Sequence, residues 1–239
     1  MVIVSHFPGS VKQYITAAPF PGRTFPLPEQ CPHPECGAVS SLIRWGTYVR
    51  WACTAGEDYL IRVQRIRCTV CGRTHSLLPD FLHPYRHYVI RLLQSAIHLY
   101  LIAGLSLGRL LRQMPQPGPA RSTIREWIHS FAYGAGELLL DLLTRQRAAL
   151  DPLAALPVRA PPEHFQRISD LVQRRRLARA HCFWLLAEQL YAQVKVRQPW
   201  LDFAAAQFFP FLLHWLQRQA VPPRLFWSPR LSTTPITPF

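Results

Sequence analysis

Four cysteines in two close pairs, Cys31/Cys36 and Cys68/Cys71, carry the most specific chemistry in this chain of 239 residues. Each pair fits a tight turn that presents two thiolates to one ion. Four converging thiolates make a closed tetrahedral site, which suits Zn²⁺ and leaves no coordination position for a substrate. The expected cofactor is therefore a structural zinc ion. Gly37 and Gly72 each follow the second cysteine of a pair, where a positive φ turns backbone N–H groups back toward sulfur. His33 and His75 flank the turns and have the right side chain to substitute as ligands, but their positions predict exposed loop residues. Cys53 and Cys182 have no close cysteine and read as ordinary thiols. Unligated buried thiols are the bland alternative. A redox dithiol at Cys68/Cys71 lacks the surrounding βαβ pattern.

Two strand-like runs lie between the pairs, SLIRWGTYVRW and DYLIRVQRIRC, with Ala55-Gly56-Glu57-Asp58 as the turn. In the second run neither alternate set of residues is cleanly apolar, although β-branched residues dominate. Two cysteine turns joined by an antiparallel hairpin describe a zinc ribbon over residues 31–80. Arg62, Arg65, Arg67 and Arg73, with Arg44 and Arg50, make the hairpin basic. Trp45, Tyr48 and Trp51 are interleaved with them, a pattern that suits a phosphate backbone; a solvated sheet face is the competing reading.

Elements that would present these groups to a partner follow in the chain. Residues 77–86 form a proline-containing connector. Val89, Leu92, Leu93, Ala96, Ile97 and Tyr100 then make one apolar helical stripe. Gly104 is a natural helix stop and Ser106 a suitable N-cap for a short helix over 107–114. A third helix begins near Ser122, with Ile124, Trp127, Ile128 and Phe131 facing inward. The layout over 86–134 is that of a helix-turn-helix whose third helix enters the major groove N-terminus first. Arg121 and Arg125 would contact guanine edges or phosphate, and Ser122 and Thr123 phosphate or bases.

The net charge of +14 points to a polyanionic partner, nucleic acid before an acidic membrane. Nearly all the basic residues are arginines. The first ten residues, MVIVSHFPGS, lack the pattern of a secretory signal, so a reducing cytoplasm and metal-bound cysteines are expected rather than disulfides. The stretches 88–105 and 199–216 are apolar but interrupted, the first by Arg91, Gln94 and His98, the second by Asp202, Gln207, Pro210 and His214. Both read as buried helices rather than membrane spans.

CPHPECG, IRWGTYVR, YLIRVQRIRCTVCGRTHSLLPDFLHPYRHY and STIREWIHSF together resemble the N-terminal region of bacterial insertion-sequence transposases, and a family of mobile-element proteins carrying only that front half. The resemblance spans residues 31–134. It implies a four-cysteine zinc ribbon followed by a helix-turn-helix that binds the element's terminal repeats. Cys31, Cys36, Cys68 and Cys71 would be the ligands, residues 121–125 would open the recognition helix, and the location would be a bacterial nucleoid. Two departures are visible: four residues rather than two inside the first cysteine pair, and a long proline-rich link before the third helix.

Such a transposase would need three carboxylates converging on metal ions. Beyond residue 134 the acids are Glu137, Asp141, Asp151, Glu163, Asp170, Glu188 and Asp202, none in a β-branched run. The pattern there is helical over 135–150, 164–197 and 200–219. Arg174, Arg175 and Arg176, with Arg167 and Arg179, form a basic patch, read as a solvated face or as a second nucleic-acid contact. The greasy 200–219 helix predicts burial, with a homodimer as one way to achieve it. The expected whole is mainly α with a small N-terminal β zinc ribbon: an extended lead-in (1–30), with strand contacts to the next module left open, the ribbon, the helix-turn-helix, a helical region (135–220) and a proline-rich tail (221–239). The expected function is sequence-specific binding of double-stranded DNA in a mobile element, with no catalytic residues. A divergent transposase, a transcriptional regulator and a protein–protein adaptor are the rivals.

Overall fold

The structure is a computed structural model that describes residues 1–17, 25–115, 118–150, 160–197 and 208–227. The chain clusters into two units, Met1–Ile90 with Leu213–Pro223, and Arg91–Leu212 with Arg224–Phe239. Among the described residues no helix is long and apolar enough to cross a membrane.

The first unit is built on a four-stranded sheet in the order β1-β4-β3-β2. β2 (Leu42–Cys53) and β3 (Asp58–Cys68) are the expected hairpin. The sheet has two further strands, β1 (Val2–Ser5) and β4 (Thr74–Pro79), which pair in parallel with each other. The lead-in is thus not simply extended: its Val-Ile-Val run completes the sheet, and α1 (Val11–Ala17) buries Val11 and Tyr14. The Tyr14 hydroxyl donates to the Arg62 carbonyl at 2.9 Å. The connector expected at 77–86 begins inside β4, because Leu77 and Leu78 are wholly buried.

The mixed pattern of β3 has a geometric cause. Ile61 and Val63 are buried at odd positions, Ile66 and Cys68 at even ones. β2 follows this change of phase with one extra residue, Trp45, where the register shifts between Arg44 and Gly46. Such a bulge adds local twist, so inward residues from both halves of the hairpin join one core. Gln64, at the change of phase, is buried and donates to the Gly46 carbonyl at 3.0 Å.

The second unit is helical: α2 (Ile90–Leu101, of which Ile90 belongs to the first unit), α3 (Leu107–Gln113), α4 (Arg121–Tyr133), α5 (Leu140–Leu150) and α6 (Leu171–Arg197). Segments 91–134 and 135–212 lie within this one unit. Gly104 stops the chain after α2 at φ 70°. Ser106 occupies the N-cap position of α3 without a side-chain cap. A π-helical segment, Gly134–Leu139, joins α4 to α5. The core is aromatic: Phe131 stacks on Phe209 at 5.5 Å and meets Trp184 edge-on at 6.2 Å. α7 (Phe208–Arg218) is divided between the units at Leu212/Leu213. Its Phe208, Phe209, Phe211, Leu212, Trp215 and Leu216 are all buried within one chain, so their burial needs no second protomer. Residues 200–207 of the expected helix lie outside the described residues. So does the tail beyond Trp227; before it, Leu225 and Phe226 are packed inside.

Gly136 lets α6 approach closely. A Cβ there would meet the Arg176 carbonyl oxygen at 2.6 Å and the Ala180 nitrogen at 3.1 Å. Gly136→Ala is expected to cost about 1–3 kcal/mol through overpacking, seen as a lower denaturant midpoint with an unchanged slope.

Candidate metal centre and basic surfaces

Both cysteine pairs sit at one end of the hairpin. Cys68 closes β3, and Cys71 follows in a turn held by the Gly72 N–H donating to the Cys68 carbonyl at 3.0 Å. The first pair lies in a small loop pinned by the Gln30↔Val39 bridge and by the Cys31 N–H donating to the Ala38 carbonyl at 2.9 Å. Gly37 and Gly72 adopt φ values of 56° and 69°, as the turns require. Ser41 joins the two loops. Its carbonyl accepts from the Thr69 N–H at 2.8 Å, and its hydroxyl lies 3.3 Å from Cys68 Sγ.

The four sulfurs lie within 4.8 Å of one another. The Cys31–Cys71 and Cys36–Cys68 separations are both 3.8 Å, far beyond a disulfide bond. Four Sγ atoms converging from two turns can hold a metal ion. Backbone N–H groups reach the sulfurs as predicted, but from His33, Ala38, Val70 and Cys71 rather than from the two glycines. The Ser41 hydroxyl, helped by the Cys71 and Val70 N–H groups, draws the Cys68 thiol down to about 6. Burial pushes Cys31 up to about 12. The two shifts run in opposite directions, Cys68 toward the thiolate and Cys31 toward the neutral thiol.

His75 is a correction. It is not an exposed loop residue but is buried, with Nε2 3.6 Å from Cys31 Sγ. Burial, with the N-terminal ammonium next, lowers its pKa to about 4. It is therefore neutral, and in its Nε2–H tautomer it donates to sulfur from outside the cage. His33 is also largely covered, 15% exposed, with Glu35 4.0 Å away. Ser41 carried no signal in the sequence, because a serine before a strand is ordinary until the fold sets it beside Cys68. Cys53 and Cys182 lie outside the cluster.

The arginines fall into two groups. Arg44 donates to the Phe25 carbonyl at 2.9 Å, and Arg50 to the carbonyls of His83 and Arg86. Burial lowers the pKa of Arg50. Both arginines brace the hairpin against neighbouring backbone carbonyls, Arg50 half-buried and Arg44 exposed. Arg65 reaches Thr74 Oγ1 at 3.1 Å, and Arg67 stands over the Trp45 ring at 4.6 Å. Arg62 and Arg73 are exposed, as are Trp45 and Trp51.

In the second unit Arg121, Ser122 and Arg125 are exposed and Thr123 half-buried, while Ile124, Trp127 and Ile128 are buried on the opposite side of α4. The Arg174–Arg176 patch is partly committed to packing. Arg176 lies over the Tyr133 ring and 3.6 Å from Glu137; Arg179 donates to the Gly136 carbonyl at 2.6 Å and pairs with Asp141 at 3.0 Å. Asp170 caps α6 through the Val172 and Gln173 N–H groups, and Glu188 accepts from Trp184 Nε1. Among the described residues these acids do not converge on one point. Asp151 and Asp202 lie outside the described residues.

Two outcomes are expected. Cys68→Ser combined with Cys71→Ser abolishes thiolate-bound metal, read as loss of the sulfur-to-metal charge-transfer band on cobalt loading. Ser41→Ala keeps the four ligands but weakens metal binding about 10–100-fold, the usual effect of removing an outer-shell partner; competition with a chelator measures it.

Neither the curated proteins nor the solved structures contain a significant match to the chain. Residues 31–104, from the first cysteine of the cage to the glycine that ends α2, match the model of a domain of unknown function, DUF6431.

Proposed function

We propose that this chain is a zinc-stabilised, sequence-specific DNA-binding protein of a mobile genetic element, related to the front half of insertion-sequence transposases and acting by binding rather than by strand transfer. The zinc assignment rests on the sulfur cage. A tetrahedron with metal–sulfur bonds of about 2.3 Å has edges of about 3.8 Å, the separation found for Cys31–Cys71 and Cys36–Cys68. In this reading the cage and hairpin form a zinc ribbon, with the ion structural.

The observation that carries DNA binding is the opening of α4. Arg121, Ser122 and Arg125 are exposed there, and the buried Ile124, Trp127 and Ile128 fix the helix from behind. Ala120 supplies no side-chain cap, so the first-turn N–H groups and the helix dipole face outward with the arginines, a favourable setting for phosphate. Helix-turn-helix recognition by α2, α3 and α4 uses this end of the helix. Exposed Arg62 and Arg73 would add backbone contacts without sequence information.

Selection of bound duplexes from a random pool is expected to yield a defined site. Arg121→Ala with Arg125→Ala should weaken binding to that site by about 1–3 kcal/mol per lost base contact, while Arg62→Ala should weaken all duplexes alike and flatten the salt dependence. Recovery of no preferred sequence, or unchanged affinity of the double variant at moderate salt, rejects the proposal.

A further inference from the structure

A second cluster of metal-binding side chains lies in the first unit, apart from the cysteines. His6 Nδ1 is 2.7 Å and His214 Nε2 3.3 Å from Asp80 Oδ2, and the three ligand atoms fall within 4.8 Å of one another. Topology puts them there. β1 and β4 are parallel neighbours with Ser5 opposite Pro79, so His6 and Asp80 are the next residues at the same carboxyl end. Ligands of open sheets characteristically bind beyond that end of the strands. The third member comes from α7. Gln217, on the same helix face as His214, pairs with both backbone groups of Val4: the Val4 N–H donates to Oε1 at 2.7 Å, and Nε2 donates to the Val4 carbonyl at 3.3 Å.

We propose that His6, Asp80 and His214 form a second metal site on this chain, taking a divalent transition-metal ion and leaving a coordination position open to solvent. Two imidazoles and one carboxylate are the ligand set that such ions accept when positions stay open for water or a further ligand. The carboxylate is pre-oriented. The Phe7 N–H donates to Asp80 Oδ1 at 3.1 Å, and the Asp80 N–H donates to the Ser5 carbonyl at 2.9 Å. Oδ2 is left to face both imidazoles. A ligating carboxylate held by a backbone donor in this way is a recurrent outer-shell feature of metal sites. Burial is graded as an open site requires: the Asp80 side chain is 6% exposed, His214 15% and His6 48%. The site differs from the cysteine cage in ligand type. It offers only nitrogen and oxygen donors, and it is independent of the DNA-binding reading.

Titration of the metal-free full-length chain with Co²⁺ under reducing conditions tests the proposal. Two equivalents should bind, one giving intense sulfur-to-cobalt charge transfer and one giving only weak visible bands. His6→Ala should abolish the second equivalent and leave the first intact; His6 is half exposed, so the fold should survive. In the unaltered protein, one equivalent of Zn²⁺ beyond the thiolate site should shift the NMR signals of the His6 and His214 rings. Loss of charge transfer with the nitrogen/oxygen-bound equivalent retained would count against the cysteine cage and support this site. A single equivalent in the wild type that shows sulfur-to-cobalt charge transfer, equal cobalt uptake by wild type and His6→Ala, or imidazole signals indifferent to Zn²⁺ overturns it.

Discussion

Four sulfur atoms brought within 4.8 Å of one another set the terms for the rest of the first unit. Thiolates at that spacing repel, and buried neutral thiols make only weak hydrogen bonds. A cation at the centre would turn an unfavourable cluster into a cross-link between residues far apart in sequence. The surroundings are arranged for this. Ser41 ties the two loops together and polarises Cys68, while neutral His75 backs Cys31. The cage in turn fixes the end of the hairpin at which Ile66 and Cys68 are buried, and so supports the change of phase around Gln64.

The hairpin and its cysteines were legible in the sequence because their signals are local. β3 runs Asp58–Cys68 as read from its β-branched residues, and the paired spacings located all four sulfurs of the cage. The inner face of α4 was legible for the same reason, since Ile124, Trp127, Ile128 and Phe131 repeat at helical spacing. The parallel β1–β4 pair was not, because a four-residue edge strand has no periodicity of its own and its partner is over seventy residues away. His6, Asp80 and His214 were invisible on the same ground: only the register of β1 against β4 and the seating of α7 bring them together. The absence of clean alternation in β3, visible in the sequence, is explained by the structure: period-2 patterning assumes one buried face along a whole strand, and here the face changes.

Charge was the least decisive signal. A run of arginines looks the same in sequence whether it meets phosphate, water or the protein's own carbonyls. Arg179 completes the π segment at Gly136, and Arg50 is spent on the carbonyls of His83 and Arg86. The arginines at the opening of α4 differ in their setting, not in their type. They stand at an uncapped helix N-terminus on a helix anchored by buried tryptophan and isoleucine.

The pairing of Gln217 with Val4 has a consequence for how copies of this chain meet. β1 is an edge of the sheet, and at Val4 both outward backbone groups are already taken by a side chain. An incoming strand from a neighbour finds no donor or acceptor there. The opposite edge is β2, twelve residues long and bearing exposed Trp45, Val49 and Trp51. β1 is thereby the less available of the two edges for pairing with an added strand.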